Sequence, residues 1–215
     1  MLIPEPPDEY IGTDESGKGD YFGPLVIAGV YLAPANLEFL EKLNILESKR
    51  ISDNRAITLA EDIKKVTHTS VIVIGPEKYN ELQARMKNLN RLLGWGHARA
   101  IENILELHDC PAAISDQFGD ESIIRNSLMK KGREIKLYQT PKAERFLGVA
   151  AASVLARAAF LNYLKKLSDD FGMTFPKGAS NLVDEAGRKF VQKFGAEKIK
   201  TVAKFHFKNT QKIGV

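Results

Sequence analysis

A cluster of acidic and glycine residues lies near the N-terminus, where Asp14 and Glu15 are followed by Gly17-Lys18-Gly19. Glycines let backbone N–H groups approach an anion closely, and a lysine between them supplies a charge to meet it. Successive side chains of a regular strand point to opposite faces, so Asp14 and Glu15 can serve one site only where the strand frays. The alternative is a hairpin whose polar turn is merely acidic.

The same stretch also matches part of a nucleotide-binding P-loop, because Gly12 to Lys18 fits the pattern G-x-x-x-x-G-K. The match fails at the next position, where Gly19 replaces the serine or threonine whose hydroxyl would bind magnesium. Two carboxylates would also lie inside a loop that cradles phosphates, and the apolar residues 25–32 that follow indicate a strand. The P-loop interpretation is therefore disfavoured.

Two more acids lie at predicted element boundaries far along the chain. Asp116 ends a short apolar strand, and Asp184 lies near the start of a helix, where it could instead act as a capping residue behind Asn181. Sites form beyond the strand ends of α/β sheets, and gathered carboxylates repel each other unless cations lie among them. Oxygen-rich sites suit Mg²⁺ or Mn²⁺, and two such ions can activate water against a phosphodiester.

Composition limits the class of protein. A chain of 215 residues with 44% hydrophobic residues can bury one large core. From residue 176 onward there are nine Lys and Arg against three acids, which indicates either a polyanionic partner or a solvated helical face. Cys110 is the only cysteine, so we expect no disulfides and a reducing, cytoplasmic location. No apolar run is expected to reach membrane-spanning length.

Helical and strand patterns alternate along the chain and predict a single α/β unit. His97 and Trp95 fall within a predicted core-packing helix, and without a second ligand at metal-binding spacing both are interpreted as structural. The alanine-rich run 143–167 predicts a buried central helix. The other predicted helices cover residues 34–43, 52–65, 88–105 (loosened near its glycines) and 121–129, and the strands after the opening hairpin cover 67–74, 111–116 and 133–138.

Several motifs follow one another over roughly residues 10 to 210. They are Gly12-Thr13-Asp14-Glu15-Ser16-Gly17-Lys18-Gly19-Asp20-Tyr21-Phe22-Gly23-Pro24, Asn88-Leu89-Asn90, Trp95 to Asn103, Ser115-Asp116-Gln117-Phe118, Ala150 to Arg157, Phe175-Pro176-Lys177-Gly178-Ala179-Ser180 and His206-Phe207-Lys208-Asn209-Thr210. Taken together and in this order, they closely resemble the type 2 ribonucleases H, and specifically the bacterial ribonuclease HIII branch.

The resemblance implies a ribonuclease H-like fold, with a central mixed sheet flanked by helices and a helical C-terminal region. It implies endonucleolytic cleavage of the RNA strand of RNA/DNA hybrids with two Mg²⁺ or Mn²⁺ ions, leaving 3′-hydroxyl and 5′-phosphate ends. The implied catalytic and metal-binding acids are Asp14, Glu15, Asp116 and Asp184, which we expect to converge within metal-bridging reach. The implied substrate contacts are Ser16, Gly17, Lys18 and Gly19 near the ribose 2′-hydroxyls, and Lys142, Ser153 and Arg157 at phosphates.

Ser16, Lys18 and Gln117-Phe118 favour the HIII branch over its HII sister, which uses a late tyrosine to recognise a single ribonucleotide junction. The last tyrosine here is Tyr163, so we expect no strong preference for single embedded ribonucleotides. Members of the HIII branch usually carry an N-terminal domain resembling a TATA-binding protein. Here residues 1–9 are interpreted as an extended leader to one catalytic domain covering residues 1–215, without that domain and with lower substrate affinity.

A function of a different class stays open: a non-catalytic module that binds RNA or hybrids through its basic C-terminal face. It would bind without metal-dependent cleavage. Under either hypothesis we expect a monomer that has no obligatory protein partner and does not associate with a membrane.

Overall fold

A computed structural model describes residues 6–46, 51–120 and 122–215. At its centre is a five-stranded sheet with the strand order β3-β2-β1-β4-β5. The first three strands pair antiparallel, whereas β1 with β4 and β4 with β5 pair parallel. The strands are β1 (Tyr10–Ser16), β2 (Leu25–Leu32), β3 (Thr69–Ile74), β4 (Ala112–Asp116) and β5 (Lys136–Thr140).

Helices surround this mixed sheet, which confirms the predicted α/β class and the helical C-terminal region. Short 3₁₀ helices cover Ala143–Arg145 and Ala196–Thr201. The α-helices are α1 (Pro34–Lys42), α2 (Asp53–Val66), α3 (Pro76–Met86), α4 (Leu89–Leu105), α5 (Ser122–Ser127), α6 (Leu147–Phe171), α7 (Asn181–Phe194) and α8 (Lys208–Ile213).

Side chains of β1 point alternately to the two faces of the sheet, and a layer of the hydrophobic core lies on each face. Tyr10 and Gly12 face α6, which packs on β1 and β2 and is contacted in turn by α2. Ile11 and Thr13 face α4 on the other side of the sheet, where α3 and α5 also pack. Because the strand period is two residues, the same alternation decides which face each acid of β1 reaches.

Helix α6 lies unusually close to the sheet at Gly12. A Cβ atom built on Gly12 would lie 2.2 Å from the carbonyl carbon of Gly148 and 2.4 Å from the amide nitrogen of Val149. Both neighbours are backbone atoms of the first turn of α6, so no side-chain rotation can make room. The small residues of α6 thus allow the helix to lie close to the sheet, as its alanine content predicts. Ala151 and Ala152 are fully buried there.

Some element boundaries differ from the sequence-based expectations. Helix α3 was not anticipated, and β5 begins at Lys136 rather than at residue 133. The run from residue 143 begins as a 3₁₀ turn, and its α-helix extends to Phe171. Helix α4 is continuous through both glycines rather than loosened there. Glu121, the expected start of α5, and residues 1–5 of the leader lie outside the described residues.

The expectation about apolar length was wrong for one segment. Helix α6 has 25 residues and is long and apolar enough, by length and composition, to cross a membrane. Most of its apolar window is buried against the sheet and α2, however, as in the core helix of a globular protein. Its hydrophobicity is thus accounted for by packing.

Candidate active site

Asp14 and Asp116 lie next to each other at the ends of two neighbouring parallel strands. The last pair of the β1–β4 ladder joins Thr13 to Ser115, so each acid occupies the position that follows this pair. Paired residues of adjacent strands face the same side of the sheet, which places both acids on the α6 side. Both carboxylates therefore lie at the carboxyl ends of neighbouring parallel strands, where sites of α/β sheets form.

Asp14 is a partly buried carboxylate that lacks a strong cationic partner. Its side chain accepts hydrogen bonds from the Ser153 hydroxyl of α6 and from the N–H of Glu15, the latter at 2.9 Å. Burial, with the neighbouring Glu15 charge second, raises the pKa of Asp14 from 3.8 to about 6. Desolvation therefore outweighs both hydrogen bonds, and a nearby cation would stabilise the ionised form.

Glu15 lies on the opposite face of the sheet. Strand β1 stays regular through Ser16, so the fraying that would bring Asp14 and Glu15 to one face does not occur. The carboxylate of Glu15 instead contacts Nε2 of His97 at 3.2 Å and Nζ of Lys18 at 3.4 Å. Burial alone would raise the pKa of Glu15, but the His97 hydrogen bond and the nearby charges lower it overall.

The glycine loop begins immediately after β1, which ends at the partly buried Ser16. Gly17 has a φ of +85°, a left-handed conformation that favours glycine, and a Cβ there would lie 2.2 Å from the Pro24 carbonyl oxygen. Lys18 lies over the ring of Phe118, with Nζ 5.6 Å from the ring centroid. Gly19 is exposed. The loop thus follows directly on the acids of β1, with Gly17 buried and Gly19 at the surface.

Asp116 accepts a hydrogen bond at Oδ1 from the N–H of Ala143, at 3.0 Å. Ala143 begins the 3₁₀ turn that leads into α6, so this bond joins the end of β4 to the start of the central helix. Lys142 precedes it in a left-handed conformation, with a φ of 58°, and is exposed. The structure thus places Lys142 one residue from the donor that holds Asp116.

Asp184 lies on α7, which is capped by Ser180 rather than by Asn181, so Asp184 is the fourth helical residue instead of the third. It does not serve as a cap. Its carboxylate is buried and accepts hydrogen bonds from the Asn209 side chain and, at 3.3 Å, from Nζ of Lys212. Both donors belong to α8, so the C-terminal helix fixes the orientation of Asp184.

The loop that precedes α7 is bound to the end of the glycine loop. Asp20 accepts the N–H of Gly178 at 2.6 Å through its carboxylate, and the N–H of Tyr21 donates to the Gly178 carbonyl at 2.9 Å. The buried Lys204 donates from Nζ to the Asp20 carbonyl at 2.7 Å, and burial lowers its pKa to about 7. These bonds set the position of α7 relative to β1.

The expectation that all four acids stand within metal-bridging reach is not met by these side-chain positions. Among residues 6–46, 51–120 and 122–215, no three Asp, Glu, His or Cys side chains form a group that could hold a metal ion. The physical reason is that each acid is bonded to its own protein donors. Glu15 points to the α4 face, whereas Asp184 is held by α8.

Ser153 and Arg157 lie one helical turn apart on α6, as expected, but differ in their contacts. Ser153 donates to Asp14, whereas Arg157 donates to Asp53 at 2.7 Å and to the Ile51 carbonyl at 3.1 Å. Lys177 also contacts Asp53, at 2.6 Å. The structure thus brings Ser153 to the acids and pairs Arg157 with the start of α2.

Comparison with known proteins identifies the family. A family model described as Ribonuclease HII matches residues 11–210 of the chain. The curated Ribonuclease HIII of Protochlamydia amoebophila is 43% identical over 204 residues, which are 95% of this chain and 68% of that protein. The chain belongs to the type 2 ribonucleases H. Its relatives place it in the ribonuclease HIII branch; that of Chlamydia abortus is 44% identical over 206 residues, 94% of this chain and 69% of that protein.

Solved structures of ribonucleases HIII have the same fold. The crystal structure of Bst-RNase HIII in complex with Mn²⁺ aligns with a TM-score of 0.88 at 32% identity, over 95% of this chain and 68% of that one. The predicted ribonuclease H-like fold is therefore confirmed, and the chain is a ribonuclease H, an endonuclease of the HIII branch.

Sequence reasoning missed one residue that lies beside the candidate site. His97 was interpreted as a structural residue, but its ring contacts Glu15 as well as the Thr13 and Ser115 hydroxyls. One signal was available in the sequence. His97 lies four residues after Leu93 and four before Ile101, on the apolar face of α4, where a polar side chain must find a partner.

The raised pKa of Asp14 predicts a distinct pH dependence of stability. Between its ordinary 3.8 and about 6, the folded protein keeps a proton that the unfolded chain has lost. The free energy of unfolding should therefore decrease by about 2–3 kcal/mol from this group as the pH rises through that interval. Urea unfolding at several pH values, with a chelator present, should show this decrease in the free energy of unfolding for the wild type. The decrease should be absent in Asp14→Asn. Identical slopes would contradict the assignment.

Proposed function

We propose that this ribonuclease HIII hydrolyses the RNA strand of RNA/DNA hybrids, leaving 3′-hydroxyl and 5′-phosphate ends, at a site that binds two Mg²⁺ or Mn²⁺ ions. The observation that carries the proposal is that Asp14 of β1 and Asp116 of β4 each directly follow Thr13 and Ser115, the last register pair of the two parallel strands. Family membership supports it, and Bst-RNase HIII has been crystallised with Mn²⁺.

The donor chemistry of the site fits a hard divalent cation. Carboxylate oxygens are the ligands that Mg²⁺ and Mn²⁺ prefer, and the hydrogen bonds of the partly buried Asp14 do not offset the desolvation of its charge. Asp14 and Asp116 would hold the ions from the α6 face of the sheet, with Glu15 from the α4 face and Asp184 from α7. When bound, such a pair of ions supplies a water activated for attack on the phosphorus and stabilises the leaving oxygen.

The chain's own residues position the ligands and the substrate. Ser153 orients Asp14, and the Ala143 N–H orients Asp116. The loop from Ser16 to Gly19, exposed at Gly19, is proposed to contact ribose 2′-hydroxyls, the groups by which a protein distinguishes RNA from DNA. Lys142, exposed near Asp116, is proposed to contact a phosphate, and Arg157 would do so only after leaving Asp53.

A cleavage assay tests this function. An RNA/DNA hybrid labelled on the RNA strand should be cut with Mg²⁺ or Mn²⁺ and remain intact with EDTA. Matched RNA/RNA and DNA/DNA duplexes should not be cut. Extension of the products by a polymerase should report a 3′-hydroxyl, and ligation should report a 5′-phosphate. A duplex with one embedded ribonucleotide should be cut no faster than the hybrid. Cleavage in EDTA, or equal cleavage of all duplexes, would contradict the proposal.

The basic C-terminal region favours the second candidate, a module that only binds hybrids. That function predicts a gel shift of the hybrid that persists with EDTA and no product when Mg²⁺ is added. The same assay therefore distinguishes the two. A monomeric state and a cytoplasmic location remain predictions from the sequence.

A further inference from the structure

We propose that His97 is a positioning residue of the nuclease site, which holds the carboxylate of Glu15 on the α4 side of the strand ends that carry Asp14 and Asp116. The inference rests on the proposed function, because it assigns Glu15 to the metal-binding acids. His97 is completely buried on α4, and both of its ring nitrogens contact residues at the strand ends that carry these acids. Any buried imidazole needs hydrogen-bond partners, and those of His97 are an acid of the site and a hydroxyl that directly precedes another.

The Nε2 side of the ring defines the position of Glu15. Nε2 lies 3.2 Å from Oε2 of Glu15, and an ionised carboxylate only accepts, so Nε2 must carry a proton and donate it. Lys18 contacts the other oxygen, Oε1, at 3.4 Å. The side chain of Glu15 is only 12% exposed. One donor on each oxygen therefore holds the carboxylate in a single orientation.

The Nδ1 side anchors the ring to both acid-bearing strands. Nδ1 lies 2.9 Å from the Thr13 hydroxyl and 3.4 Å from the Ser115 hydroxyl. Thr13 and Ser115 are register partners in the β1–β4 ladder, and each directly precedes an acid of the site. In the neutral ring Nδ1 accepts the proton of Thr13, since the Ser115 hydroxyl donates to the Asp116 carbonyl. The ring thus connects Glu15 to the pair of strands that end in Asp14 and Asp116.

Phe118 restrains the same ring from the side. It stacks on His97 with centroids 5.1 Å apart and planes inclined by 26°, and it also lies under Nζ of Lys18. Glu15, Lys18, His97 and Phe118 therefore form one contact unit. Through it, the orientation of the acid is coupled to the loop that is proposed to contact ribose.

Three variants test the positioning role. His97→Phe keeps a planar ring but removes both hydrogen bonds, His97→Gln can restore a donor near the position of Nε2, and Thr13→Val removes only the contact to Nδ1. The matched control is Glu102→Gln on the same helix, because Glu102 is buried and accepts the N–H groups of Met129 and Gly132 away from the acids. Each variant is assayed for kcat and KM on the hybrid, Tm, and Mn²⁺ binding by calorimetry without substrate.

Removing a group that orients a metal ligand typically costs 10- to 100-fold in affinity or rate. We expect His97→Phe to lower kcat and weaken Mn²⁺ binding by about 10- to 100-fold, with KM changed less than about threefold. His97→Gln should recover most of this loss, and Thr13→Val should show a smaller loss of the same kind. Glu102→Gln should lower Tm without changing kcat or Mn²⁺ binding.

Two results would overturn the inference. The first is a folded His97→Phe whose kcat and Mn²⁺ affinity stay within about threefold of the wild type. The second is an equal loss in His97→Phe and His97→Gln, which would indicate packing alone. If His97→Phe does not fold, His97→Gln and Thr13→Val decide: unchanged kcat and Mn²⁺ binding in Thr13→Val would refute the anchoring role. A wild type that binds Mn²⁺ but cleaves no hybrid would refute the proposed function, while the Mn²⁺ comparison would still test His97.

Discussion

Replacing Asp14 with asparagine is expected to lower hybrid cleavage by about a thousandfold or more, because a metal site contributes several kcal/mol to stabilising the transition state. The amide keeps the size of the side chain and can still accept from Ser153, so the change removes mainly the charge. Initial rates on a labelled hybrid at saturating Mg²⁺ and at saturating Mn²⁺ would measure the loss.

The fold of this variant should remain intact. Ionised Asp14 is unfavourable in the folded state, as its raised pKa indicates, so Asp14→Asn should match or exceed the wild-type stability near pH 7.5 in a chelator. Asp170→Asn is a suitable control, because Asp170 is an exposed acid paired with Lys166 on the surface of α6. It should retain full activity. Near-normal cleavage by a folded Asp14→Asn would refute the assignment of the site.

Replacing Gly12 with alanine is expected to destabilise the protein by about 3 kcal/mol or more, which corresponds to a decrease in Tm of about 10 °C. The new Cβ would lie 2.2 Å from the Gly148 carbonyl carbon, so α6 would have to move away from β1. Because β1 carries Asp14 and α6 carries Ser153, activity should fall at temperatures where the variant is still folded. Thermal and urea unfolding followed by circular dichroism would measure the effect.

A second glycine of the same motif provides the control. A Cβ on Gly19 would meet no atom within 4 Å, so Gly19→Ala should change the free energy of unfolding by less than about 1 kcal/mol. If Gly12→Ala and Gly19→Ala were equally stable, the close approach of α6 to β1 would not limit this position.

Periodicity and composition were sufficient for the class of fold and for the long elements. The alanine-rich stretch became α6, and the apolar repeat ending at Leu105 became α4 with Asn88 as its cap. Boundaries were less accurate where tertiary contacts decide them. Strand β5 extends to Thr140 because it pairs with β4 up to Asp116, a contact between residues far apart in sequence.

For the candidate site, the local sequence pattern identified the types of residue but not the directions in which their side chains point. The acids of β1 were recognisable as a pair, yet strand geometry sends Asp14 toward Ser153 and Glu15 toward His97. Asp184 had a plausible local role as a cap, and only the packing of α8 shows that its partners are Asn209 and Lys212. The position of α7, and so of Asp184, relative to the glycine loop depends on the hydrogen bond between Asp20 and Gly178, which lie 158 positions apart in the sequence.

The sequence by itself determined the family, the α/β class, the acids at the element ends and the glycine loop, because these depend on residue type and short-range spacing. Tertiary structure alone decided which acids share a face of the sheet and which donors orient them. It also changed the interpretation of His97, from a core residue to one whose two nitrogens contact β1 and β4. The physical reason is that a buried polar side chain is defined by its partners, and here folding brings those partners from distant parts of the chain.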